Sequence, residues 1–457
     1  MDEKIKKEGA ASMGKTAGEA GWHVSRYNLF AKIPGTNNVA IANLFKGTCG
    51  AYSALDLYLL DELNTLDEEH PILARFRERG LIVNFDEKAV LYAMGRMGST
   101  FGGVGLTICP TMGCNFDCPY CFENHKAGKM SPEVQDDVVA LAERMLDVAP
   151  KKQLSVSWFG GEPLLAPDVI ENLSGRLMAL CEKKAAEYSA GIITNGYLLT
   201  QDIADMLDRN KVKTAQITLD GIGDAHDKTR HLAGGGATFK RITENLRQVK
   251  LGFQVSIRHN IHAGNAGEAE ELKSFVKALA TESGNRITYY PAIVNSNAAS
   301  DERGGVDLLC GSDASDVGIR VEAKKFAHGR GIFCMAHNLL GVGIDEKGNL
   351  HKCWEDVDKP EHSFGTAGRW DPKNPINTAD RPDNLISFIN TALPNMDEEC
   401  SNCVWLPACA GGCPNRRLYY RKKCLAFKDE PEKYVLALYD RIGEERSADG
   451  NDKVKGQ

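Results

Sequence analysis

The chain has 457 residues, 42% of them hydrophobic and 26% charged, a balance that fits a folded protein of about three domains and excludes a disordered one. Lys and Arg number 55 against 62 Asp and Glu, a net charge of −7, so no basic surface points to nucleic acid. No stretch approaches the ~18 uninterrupted apolar residues of a membrane span. The Lys/Glu/Gly-rich start lacks the apolar region of a secretory signal, so a cytoplasmic protein is expected.

Residues 1–21 read as a flexible tail. Residues 22–100 read as a small α+β module. Within it, 27–33 and 38–44 alternate like two strands around the turn at Pro34-Gly35. Ser53 opens a helix with Leu55, Leu57, Leu59, Leu60 and Leu63 on its apolar face, a second helix over 71–79 stops at Gly80, and 81–84 is strand-like. From 101 to 300 strand and helix alternate. Strands are expected at 105–108, 154–158, 191–194, 214–218, 254–257 and 286–290, with helices such as 132–148, 166–187 and 201–210 between them. Repeated β-loop-α units predict a parallel sheet, open or curled into a full or partial barrel, with its chemistry at the C-terminal ends of the strands. Residues 301–333 read as a linker with one helix, 334–428 as a loop-rich, cysteine-rich domain, and 429–457 as a final helix and tail.

Fourteen cysteines are unusual for such a chain, and they are clustered. Without an export signal, metal ligation is a better reading than a disulfide framework. Just after the first strand of the alternating region, Cys114, Cys118 and Cys121 have the spacing C-x3-C-x2-C. Three thiolates on one tight loop can hold three corners of a cubane cluster and leave the fourth iron open. His125, four residues on, keeps a Cys3His zinc site as the alternative. After the next strand, Gly160-Gly161-Glu162-Pro163 offers close backbone approach and a carboxylate suited to an ammonium group, although alone it could be a turn with Pro163 opening a helix. Later strand ends carry Asn195, Asp220, Arg258 and Asn260. His226, Arg230 and the glycines at 234–236 read as a solvated connection, and Cys181 as a buried filler. The C-terminal region holds Cys334, Gly348 and Cys353, then Cys400-x2-Cys403-x5-Cys409-x3-Cys413, then Cys424. Metal clusters or two zinc ribbons would both supply the folding energy that so little apolar periodicity withholds.

With these residues the sequence resembles the radical S-adenosylmethionine (SAM) enzymes. The resemblance implies a partial (β/α)6-type barrel and a [4Fe–4S] cluster on Cys114, Cys118 and Cys121 whose free iron binds the amino and carboxylate groups of SAM. Reductive cleavage then gives methionine and a 5′-deoxyadenosyl radical that takes hydrogen from substrate. It also implies that Gly160, Gly161, Glu162 and Pro163 hold the SAM amino group, with Asn195, Asp220 and Arg258 as further cofactor contacts. The C-terminal pattern is similar to the SPASM extension and implies two auxiliary [4Fe–4S] clusters. Cys400, Cys403, Cys409 and Cys424 would close one. Cys334, Cys353 and Cys413 would leave the other a ligand short, to be completed by Cys310 or His328 or left open. The implied partners are a peptide or protein substrate and an electron donor such as flavodoxin or ferredoxin. Two reactions compete: modification of a ribosomal peptide, for which 22–100 would bind a leader by strand addition, and oxidation of a sulfatase Cys or Ser to formylglycine. An electron-relay or metal-stabilised binding protein is the alternative of another class. No substrate-side acid or base stands out among Asp220, Asp227 and Tyr289.

Overall fold

The structure is a computed structural model that describes residues 17–294 and 334–448, except 19, 101, 394–396, 421 and 423, together with 315, 316, 318 and 319. At the N-terminal end, strands β2 (Asn28–Lys32), β3 (Val39–Asn43) and β4 (Thr48–Tyr52) form an antiparallel sheet in that order. The expected hairpin is β2–β3. The third strand, Thr-Cys-Gly-Ala-Tyr, has no apolar alternation to announce it. Ser53 caps the helix Ala54–Asp61 through a capping box with Asp56, and Gly80, at φ 74°, ends the helix Pro71–Arg79. A short strand β5 (Ile82–Val83) pairs with β1 (His23–Val24). A further helix, Glu87–Thr100, goes beyond the expected elements of this module.

The sheet has two buried faces because alternate residues point opposite ways. Ile41 and Tyr52 pack against Leu60, Leu63, Leu73 and Phe76 of the neighbouring helices. Leu29, Ala31, Ala40 and Ala42 face the C-terminal helix Pro431–Ala448 and share a core with its Tyr434, Val435 and Leu438. Trp405 and Phe427 of the cysteine-rich segment join that core, with ring centroids 5.0–5.4 Å apart among Trp405, Phe427 and Tyr434.

The central sheet has nine strands in the order β11-β10-β9-β8-β7-β6-β12-β13-β14. Six parallel strands follow one another in sequence: β6 (Val104–Ile108), β7 (Gln153–Trp158), β8 (Glu187–Thr194), β9 (Val212–Thr218), β10 (Gln254–Ile261) and β11 (Ile287–Ile293). The alternating sequence pattern therefore produces the expected mixed α/β fold with a mainly parallel sheet. Leu106, Ile108, Val156, Trp158, Ile192, Ile217, Val255 and Ile257 bury its faces. The C-terminal region extends this sheet. Its β12 (Gly341–Ile344) runs parallel to β6, followed by β13 (Asn349–His351) and β14 (Gly365–Thr366) in antiparallel pairing.

Three boundaries differ from expectation. Ala17 is fully buried and donates its N–H to Leu66 O, so the end of the tail expected over 1–21 is packed against the α+β module. The helix expected over 166–187 is Pro167–Lys183; Ala185 takes a left-handed φ of 51° and turns the chain into β8. Within the expected linker 301–333, Ile319 is buried in the core under the C-terminal helix, and Asp316 pairs with Lys433. Residues 1–16 and 449–457, Cys310 and His328 lie outside the described residues. Among the described residues, no helix is long and apolar enough to cross a membrane.

Candidate metal and cofactor site

The loops at the C-terminal ends of the parallel strands surround a cavity of about 380 Å³. Cys114, Cys118 and Cys121, on the loop after β6, all line it, as do Gly160 and Gly161 after β7, Thr194 and Asn195 after β8, and Arg258 and Asn260 of β10. The cysteine loop has little regular structure and is pinned from several directions. Cys109 N–H donates to Ile344 of β12, Asp117 to His231, and Ala233 to Asn115. The Asn124 backbone and side chain both donate to Asp358 Oδ2 at 2.9 Å, which ties the loop to the C-terminal region. Burial pushes the Cys114 thiol up to about 12 and raises Cys118 and Cys121 as well. Thiols gathered where their own charge is poorly solvated form a donor set that suits a cation able to replace the protons.

The glycines of the next loop are needed for packing against the cysteine loop. A Cβ on Gly160, which sits at φ 107°, would lie 2.3 Å from Thr111 O, and one on Gly161 would lie 2.3 Å from Gly113 O. Close approach is thus required by the neighbouring backbone, and the peptide units of 160 and 161 are left facing the cavity. Glu162 differs from the sequence-based expectation. It is fully buried and does not line the cavity. Its Oε1 accepts from Leu164 N–H at 3.0 Å and Thr194 Oγ1 at 2.7 Å, and its Oε2 accepts from Asn195 N–H at 2.7 Å. Burial raises its pKa, opposed by those hydrogen bonds. The carboxylate therefore fastens β7 to the end of β8, and Pro163 behind it is also buried. Asn195 reaches the cavity but is braced by Asn115 at 2.7 Å.

Asp220, expected at the cofactor, lies behind the cavity. Its Oδ2 accepts from Tyr120 Oη and from Thr229 Oγ1 at 3.0 Å. Tyr120 also receives Arg230 Nη1 at 2.9 Å and Asn260 Nδ2 at 3.2 Å. Arg230 lines the cavity, and its buried Nε has no partner among the described residues. The solvated connection expected at 226–236 is thus corrected at His226 and Arg230, while Gly234 and Gly235 are exposed as expected. His226 is fully buried, and its Nδ1 receives Asp220 N–H at 3.2 Å. Burial holds it neutral by lowering its pKa. An isolated Arg in a polar stretch has no periodic signature, so sequence reasoning missed it.

It also missed the aromatic wall. Phe122, Phe159 and Trp354 stack in succession, with centroids 6.4 and 5.6 Å apart, and all three line the cavity. Trp354 and Glu355 directly follow Cys353, so the C-terminal region contributes part of this site. The zinc alternative changes its membership. Cys121, Glu123 and His125 have ligand atoms all within 4.8 Å of one another, a group with one cysteine of the loop and not three.

The C-terminal cysteines fall into two sets. Cys400, Cys403, Cys409 and Cys424 line a single small cavity with Trp405, Leu406 and Leu425. Cys413 lies within electrostatic range of Cys334 and Cys353. Cys334 Sγ is 3.4 Å from His337 Nδ1, and the fully buried Lys352 donates to Asn338 O at 2.7 Å and Gly341 O at 2.6 Å.

Residues 108–277, which span the cysteine loop and the strands that ring the cavity, match the Radical SAM superfamily. The chain carries a radical SAM domain. The proteins it resembles include Fe-coproporphyrin III synthase of Methanosarcina barkeri, 26% identical over 44% of this chain and 49% of that protein, so the match spans about half the relative's length. The serine-type anaerobic sulfatase-maturating enzyme of Bacteroides thetaiotaomicron is 22% identical over 66% of this chain and 80% of that protein. Among solved structures, anSMEcpe with bound AdoMet and the Cp18Cys peptide shares the fold at a TM-score of 0.53 and 21% identity, covering 77% of this chain and all of that one.

Proposed function

We propose that this chain is a radical SAM enzyme that modifies a peptide or protein, with a ribosomal peptide as substrate. The observation that carries the reading is the convergence of Cys114, Cys118 and Cys121 with the backbone of Gly160 and Gly161 and the Arg230 guanidinium on one cavity. The three thiolates would hold a [4Fe–4S] cluster, Gly160 and Gly161 would present carbonyls to the SAM ammonium, and Arg230, with Asn195 and Arg258 near it, would orient the SAM carboxylate. When bound, the cluster supplies the electron that cleaves SAM to methionine and a 5′-deoxyadenosyl radical, which takes a hydrogen atom from substrate. Tyr120, held by Asp220, fixes Arg230, and the Phe122–Phe159–Trp354 wall gives the reacting side an apolar lining. Cys400, Cys403, Cys409 and Cys424 would hold one auxiliary [4Fe–4S] cluster, and Cys334, Cys353 and Cys413 a second.

A peptide substrate is supported by the fold neighbour that binds one, and by the N-terminal sheet, in which β2 and β4 are edge strands. An edge can accept an extended leader by backbone pairing. The similarity to a sulfatase-maturating enzyme favours a second reading, formylglycine formation. Anaerobic reconstitution tests the core of the proposal. About twelve irons are expected, falling to about eight in a Cys114/Cys118/Cys121→Ala variant, with reductant-dependent 5′-deoxyadenosine from the native chain alone. Zinc in place of iron, or intact SAM, would sink the enzyme reading. A product that reacts with a hydrazide probe would favour formylglycine over a cross-linked peptide.

A further inference from the structure

The cavity lined by Cys400, Cys403, Cys409 and Cys424 carries two cations aimed at its sulfurs. Lys422 Nζ stands 3.9 Å from Cys400 Sγ, and Lys428 Nζ stands 3.8 Å from Cys424 Sγ. One carboxylate holds both: Glu399 Oε2 accepts from Lys422 at 2.6 Å and Glu399 Oε1 from Lys428 at 3.0 Å. Asp397 adds a bond to Lys422 at 3.0 Å while accepting the Cys400 N–H at 3.0 Å. The carboxylate of Glu399 is the outer member, 60% exposed, whereas the Lys422 and Lys428 side chains are 27% and 32% exposed. An ordinary surface ion pair leaves both heads in water. Here Lys422, Lys428 and Glu399 all line the cavity beside the sulfurs.

We propose that Lys422 and Lys428, clamped by Glu399, set the reduction potential of the metal centre held by these four cysteines. The inference rests on the reading above that the four thiolates hold a [4Fe–4S] cluster. Such a cluster is already anionic, and taking up one electron adds a further negative charge. Positive charges and N–H donors at the sulfurs stabilise the reduced state more than the oxidised one and so raise the potential. The lysines flank Cys424 on both sides in sequence, so the same segment supplies a ligand and both cations. The centre becomes a better electron acceptor than its thiolates alone would make it.

The test is an EPR-monitored redox titration of the full chain in the Cys114/Cys118/Cys121→Ala background, which removes an overlapping signal. Lys422→Gln and Lys428→Gln are each expected to move this centre's midpoint to more negative values, the double variant further than either, with iron content unchanged. Lys422→Arg and Lys428→Arg, which keep the charge, should return it toward the parent value. An unmoved midpoint at full iron content overturns the proposal. So does loss of about four irons in the Gln variants, because the lysines would then retain the metal and not tune it. A change confined to the rate of reduction by an acidic donor protein, at constant midpoint, also overturns it and assigns the lysines to docking instead. If Cys400→Ser and Cys403→Ser leave the iron content and spectrum of the parent unaltered, the cluster reading itself falls, and that result is separable from the others.

Discussion

At Glu162 every acceptor site in use is filled by the chain itself. Three donors, Leu164 N–H, Thr194 Oγ1 and Asn195 N–H, converge on a carboxylate with no exposure. An amide in its place would turn an NH2 group toward at least one of those donors and leave it unsatisfied, at a cost of about 1–3 kcal/mol. Glu162→Gln is therefore expected to lower the urea midpoint and weaken SAM binding together, as read by equilibrium dialysis. A variant that lost SAM binding at unchanged stability would mean instead that the carboxylate contacts the cofactor directly. At this scale the cysteines were plain in the sequence, because thiolate spacing on a short loop is itself a local constraint. Arg230 and Tyr120 were not, because they bond to one another across 110 residues of chain, and nor was His226, whose ring is held by Asp220 N–H and Thr238 Oγ1 in a stretch with no periodic pattern.

The six parallel strands and the helices between them were legible for the reason elements usually are: strands read as short apolar or alternating runs and helices by a 3.6-residue period. What escaped was β4, where Gly50 interrupts the strand, and the helix Glu87–Thr100, where Gly95 and Gly98 break the apolar period of the sequence. Between elements, the fit of the glycine loop against the cysteine loop makes opposite predictions for two Gly→Ala changes. In Gly161→Ala the new methyl would meet Gly113 O at 2.3 Å and Met112 O at 2.6 Å, so a loss of roughly 1–3 kcal/mol and poor iron retention are expected. Gly175 lies within the helix Pro167–Lys183, with nothing within 4 Å of where a Cβ would stand. Gly175→Ala should stabilise by about 0.5–1 kcal/mol at full iron content. Iron analysis and denaturant melts of the pair check both signs, and equal behaviour would refute the packing argument.

For the whole molecule, the N-terminal sheet, the last helix and the four-cysteine segment share one core, so a metal held at Cys400–Cys424, as proposed, would bear on residues hundreds of positions away. Sequence spacing could not reveal this, since nothing in β2–β4 marks which partner covers their second face. Removing the metal by chelation is expected to loosen Trp405 and Phe427 and, through them, the sheet. Hydrogen exchange should then quicken at the amides of β2–β4 while β7–β9 keep their protection. Uniform protection in both states would show that the segment holds its shape without metal.

The same core has a temporal side. The helix Pro431–Ala448 that covers Leu29, Ala31, Ala40 and Ala42 leaves the ribosome long after they do. At about 5–20 residues per second, the interval between Tyr52 and Pro431 is roughly 20 to 80 s. Throughout it this sheet is half-covered, with an apolar face and two open edges, and its completion waits on a helix made hundreds of residues later.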